Sequence, residues 1–141
     1  MKVFLISIII FFGTISLAFT SDDDMACAYH SEYNGKKYSS EMPKSLLTKS
    51  DDFDLTNPKL PMPLNQIVDI AHSQLIKITG TKKEWDVSSI SLNKWGQKEQ
   101  KWYYAVSFEP TDYMSFAHIT LVVTIDGQLG IVKQINEKVI D

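Results

Sequence analysis

The feature that most constrains this chain is a single apolar stripe at helical spacing. In "PLNQIVDIAHSQLIKITG" the residues Leu64, Ile67, Val68, Ala71, Leu75 and Ile78 share one helical face, while Asp69, Ser73 and Lys77 lie on the far side, toward water. Asn65 is placed to cap the start through its side-chain oxygen, and Gly80 to end the helix in a left-handed conformation. One such helix can cover one face of one sheet, so the remaining core must come from strands.

Those strands follow the helix. "WDVSSISLNKW" alternates weakly and ends near Asn93, and "KWGQKEQK" is a charged turn. "WYYAVSFEP" is rich in aromatic and β-branched residues and stops at Pro110. In "HITLVVTIDGQLG" the residues Ile119, Leu121, Val123 and Ile125 share one face, and Asp126-Gly127 favours a tight turn into a return strand, "LGIVKQINEKVI". The expected fold is α+β, one amphipathic helix packed on one face of an antiparallel sheet of about four strands. Its outward face would carry Tyr103, Ser107, Glu109, His118, Thr120 and Thr124, the one broad candidate binding surface.

Residues 19–62 show neither period and are broken by "YNGKKYSS", "MPKS", "KSDDFD" and "NPKLPMP". They are expected to form an irregular N-terminal arm, parts of which dock through Tyr29, Tyr33, Tyr38 and Phe53. Before the arm, residues 1–18 have the three parts of a secretory leader: Lys2, an apolar run from Val3 to Phe12, and small residues at Ser16 and Ala18. Cleavage is expected near Ala18, leaving a single α+β domain over 63–141 with no stable membrane span, outside the cytoplasm.

Charge and composition narrow the partners. The formal net charge is −3, and loss of Lys2 makes it more negative, which argues against nucleic acid. There is no arginine, hence no bidentate fork for phosphates or carboxylates. Cys27 is the only cysteine, so no internal disulfide can form; the thiol is inert or joins two chains as a dimer.

Catalytic sets are thin. Cys27 and His30 in "CAYH", with Glu32, could begin a zinc site, but structural zinc takes four ligands and the second pair is missing. Cys27 with His72 or His118 could make a nucleophilic pair, though nothing near Cys27 would depress its pKa. No "GxSxG" occurs. Asp69 and His72 sit three apart on the helix and read as a boundary histidine beside an acid. The residues call for no cofactor and no metal.

The proline-led helix, the strand "KWYYAVSFEP" and the terminal "ITLVVTIDGQLGIV" together resemble the PepSY family of small extracytoplasmic modules, over Pro63 to about Ile135. The resemblance implies a PepSY-like, cystatin-like arrangement and a noncatalytic role, restraining peptidases or binding other exported proteins. The functional expectation is therefore a secreted, bacterial, noncatalytic module that binds an exported protein or peptide, such as a peptidase. The alternatives are a periplasmic immunity protein that neutralises a toxin, and a small metal- or Cys/His-dependent hydrolase built on Cys27, His30, His72 and His118.

Overall fold

The computed structural model describes residues 22–57, 59–80, 84–112 and 117–136. The leader lies outside them. After a short 3-10 turn at Asp22–Asp24 come strands β1 (Met25–Tyr33) and β2 (Lys36–Pro43), then helix α1 (Lys44–Lys49) and helix α2 (Leu64–Thr79). Strands β3 (Trp85–Trp95), β4 (Lys101–Pro110), β5 (Ile119–Thr124) and β6 (Ile131–Ile135) follow. The protein is α+β, with one main helix and two antiparallel three-stranded sheets, ordered β1-β2-β6 and β3-β4-β5.

The helix forms as its stripe demands. Ile67, Ala71 and Leu75 are buried against Tyr104, Val106 and Phe108 of β4 and Ile119, Leu121 and Val123 of β5. Gly80 ends the helix in the left-handed conformation, its N–H donating to the Ile76 carbonyl. The start differs from expectation: Pro63 holds the N-cap position and no side chain caps it, so Asn65 lies inside the helix. Proline needs no partner for an amide it lacks, and its fixed φ suits a helix entrance.

Two larger expectations are corrected. Residues 19–62 are not an irregular arm through the described part: Met25–Tyr33 and Lys36–Pro43 pair as a hairpin, in register from Tyr33↔Lys36 back to Cys27↔Met42, with a register shift before Met25↔Pro43. Asn34 (φ 51°) and Gly35 (φ 71°) form its two-residue turn, both in the left-handed region such turns require. The single four-stranded meander is replaced as well. β6 does not return along β5; it pairs with β2, Lys37↔Ile135 to Glu41↔Ile131, and so belongs to the other sheet.

The two sheets meet where the hairpin crosses the edge of β5. Inward-pointing residues of β1 and β2 alternate as Tyr29, Ser31, Tyr33 and Tyr38, Ser40, Met42. Tyr33 and Tyr38 join the core on the helix side, while Tyr29 and Met42 join a second core on the opposite side with Leu47, Tyr103 and Val122. Between them, Ser31 and Ser40 accept hydrogen bonds from the backbone amides of Thr120 and Val122, each at 3.1 Å. The serines thus satisfy edge amides of β5 that no neighbouring strand pairs. Gly130 lies at the same crossing and donates to the Val122 carbonyl at 2.8 Å. A Cβ there would stand 2.5 Å from both the Glu41 carbonyl oxygen and Val122 Cγ2.

Two substitutions test this crossing. Ser40→Ala strands a buried amide and should cost about 1–3 kcal/mol. Gly130→Ala forces two backbones apart and should cost about 1–3 kcal/mol. Both are read as lowered midpoints in urea unfolding; unchanged midpoints would mean that the crossing carries no stability.

Candidate functional site

The expected binding face is largely covered. Tyr103, Thr120 and Thr124 are buried, Ser107 is half-buried, and only Glu109 and His118 are exposed. The cause is the hairpin together with α1, which lay Met42 and Leu47 over this side of sheet β3-β4-β5. The covered polar groups are used internally. Ser107 and Thr120 share a hydroxyl–hydroxyl bond of 2.8 Å, and Thr124 Oγ1 bonds the Asp126 carboxylate while accepting from the Gln128 amide at 2.8 Å. Thr124 is fully buried and organises the turn after β5.

The groups of the hydrolase alternative fall in separate places. Cys27 and His30 are three apart on β1, and successive side chains of a strand point to opposite faces, so the two cannot share a ligand. Cys27 faces the second core, His30 faces solvent, and His72 lays its ring at 5.9 Å from that of Phe108 on α2's buried side. Among the described residues, no group of three or more metal-ligating side chains converges. Burial raises the pKa of the Cys27 thiol, outweighing the hydrogen bonds from Tyr103 and the Met42 amide that work the other way. Burial raises the Tyr103 hydroxyl too, reinforced by Cys27 and Tyr29 beside it.

The outward face of sheet β1-β2-β6 brings other residues together. Its cross-strand rows are Ala28–Glu41–Ile131, His30–Ser39–Lys133 and Glu32–Lys37–Ile135. The chain entering β5 extends the last row, because His118 bridges to Glu32 in antiparallel fashion. Along this row lies a cleft of about 460 Å³, lined by His30, Ser31, Glu32, Lys37, Tyr38, His118 and Ile135, and mainly apolar in its surface. A volume of this order suits a small ligand or one or two side chains of a bound segment. His118 is the one residue of the expected face that reaches it.

Beside the cleft, Lys133 bonds the Glu41 carboxylate at 2.8 Å and Ser39 Oγ donates to the same group at 3.0 Å. Burial opposes ionisation of Glu41, but the hydrogen bonds from Lys133 and Ser39 and the charges of Lys133 and His30 prevail, holding its pKa below the ordinary 4.5. The surface therefore carries a Lys133–Glu41 ion pair at its centre and is apolar at Ile131 and Ile135, both exposed.

Comparison with protein-family models, with curated proteins and with solved structures finds no match to this chain. No helix among the described residues is long and apolar enough to cross a membrane. One signal in the sequence points to the missed site: Asn34-Gly35 is a strong hairpin dipeptide, and "YHSEY" and "KYSSEM" on either side alternate with period two. The serines at 31 and 40 hide that alternation from a count of apolar residues.

Two measurements follow. A carboxyl with a lowered folded-state pKa stabilises the fold above its unfolded pKa and loses that contribution as pH falls through the folded value. Glu41→Gln should therefore show a smaller loss of stability between about pH 6 and pH 3 than the native chain; equal pH dependence would show Glu41 uncoupled from folding. The Cys27 thiol should react with a disulfide reagent at pH 8 at least about tenfold more slowly in the folded protein than in denaturant. Equal rates would place it in open solvent.

Proposed function

We propose that this chain is a noncatalytic binding module that acts outside the cytoplasm on an exported protein or peptide. The observation that carries the proposal is the cleft along Glu32–Lys37–Ile135 and His118, a concave, mainly apolar site with a few polar groups at its rim. That composition is typical of sites that take a side chain or a short segment. Export is supported by the leader pattern of residues 1–18. The resemblance of the sequence from Pro63 to about Ile135 to the PepSY family adds a role to the reading: restraint of an exported peptidase, by steric blockade or by added strand pairing.

The noncatalytic part of the reading is supported by geometry. Cys27, His30 and His72 lie on opposite faces or on different elements, so no nucleophile stands beside a base among them. His30 and His118 share the cleft, where they offer hydrogen bonds and flat ring surfaces to an occupant.

The test is capture from the exported fraction, with the native chain, His118→Lys and Glu109→Gln as baits. His118→Lys pushes a longer side chain into the cleft; Glu109 stands on the other sheet. The expected result is one protein held by the native chain and by Glu109→Gln and lost with His118→Lys. Retention by all three baits, or by none of them in folded form, would sink the proposal.

A further inference from the structure

Among the described residues β3 and β6 each end a sheet, and the two edges differ in kind. β3 runs for 11 residues with a register break between Val87 and Ser89, and it presents Asp86, Ser89, Ser91 and Lys94 to solvent. Bulges and polar side chains are the usual means of keeping an edge from accepting another strand. β6 has neither. Its sequence Ile-Val-Lys-Gln-Ile is unbroken, holds register with β2 throughout, and leaves Ile131 and Ile135 exposed at 42% and 39%.

Both isoleucines open into depressions. Ile135 lines the cleft beside His118, and Ile131 lines a second hollow of about 340 Å³ with Pro43, Leu46 and Lys49. Four residues apart in a strand, they lie on one face about 13 Å from each other. Midway between them stands Lys133, whose side chain is 48% exposed while its partner Glu41 is only 17% exposed. Lys133 thus retains open surface for a second carboxylate.

The geometry points to β6 as the docking edge for an extended segment of an exported partner, with the pattern apolar–x–acidic–x–apolar. The acidic residue would sit across from Lys133 and the two apolar residues across from Ile131 and Ile135. Main-chain pairing to β6 supplies affinity and the three facing side chains supply choice. A second copy of this chain fits less well: two-fold antiparallel pairing of β6 that sets Ile131 against Ile135 also sets Lys133 against Lys133, a like-charge pair. This inference rests on reading the chain as a binding module and adds the partner's chemistry.

Fluorescence anisotropy with dye-labelled, capped peptides tests it on the purified protein. One peptide is Ser-Thr-Ile-Thr-Asp-Thr-Val-Thr-Ser, a second has Lys for its Asp, and a third has Pro for the Thr residues that flank the Asp. The first should bind saturably, the second about fivefold to tenfold more weakly, and the third not measurably. With Lys133→Glu the preference between Asp and Lys peptides should reverse. Equal affinity for the two, an unchanged preference in Lys133→Glu, or no saturable binding would overturn the docking mode. So would a dimer in sedimentation that Ile135→Lys dissociates, which would give the edge to a second copy. If the peptides fail while His118→Lys still abolishes capture of the exported protein, the binding module stands and only the edge mode falls; if capture fails as well, both fall.

Discussion

The structure depends on how the second edge of β5 is satisfied. β5 is buried along its whole length and pairs with β4 on one side only. Its other amides cannot be left bare in a packed interior, since an unpaired buried N–H costs about 1–3 kcal/mol. The chain does not solve this with another long strand. It brings the β1–β2 hairpin across the edge and supplies two serine hydroxyls, from Ser31 and Ser40, to Thr120 and Val122. The turn after β5 completes the edge through Thr124 to Gln128 and Gly130 to Val122.

This crossing divides the interior. Each hairpin strand places one apolar residue on either side of its serine, so a single hairpin closes both faces of sheet β3-β4-β5. A protein with one long helix can therefore bury a sheet on two sides, with α2 covering one and the hairpin and α1 the other. The same device turns the outward face of sheet β1-β2-β6 to solvent, and there His30, Glu32, Lys37 and Ile135 line a cleft with His118. The surface available for binding is a consequence of the way an edge was closed.

Much of the second half of the chain was legible in the sequence. The helix over Leu64–Thr79, the aromatic strand Lys101–Pro110 and the strand Ile119–Thr124 each follow from local periodicity and all three form, with Ile67, Ala71, Leu75 and Ile78 of the helix stripe in the core and Leu64 left exposed. The hairpin was not legible by that measure, because Ser31 and Ser40 occupy the inward positions where an apolar count expects isoleucine or valine. Asn34-Gly35 was the available clue. The candidate site moved for the same reason: Thr120, Thr124 and Tyr103 look solvated only if nothing lies over β4 and β5.

By itself, then, the sequence determined which segments are helix and strand from Pro63 onward and which of their faces are apolar, because those properties are local and repeat every 3.6 or two residues. Only the tertiary structure decided that β6 pairs with β2, that the hydroxyls of two serines serve a distant strand, and that His118 meets Glu32. Those pairings join residues as far apart in sequence as Lys37 and Ile135. No local pattern encodes them, since they depend on which of several compatible edges gains the most burial and leaves the fewest amides unpaired.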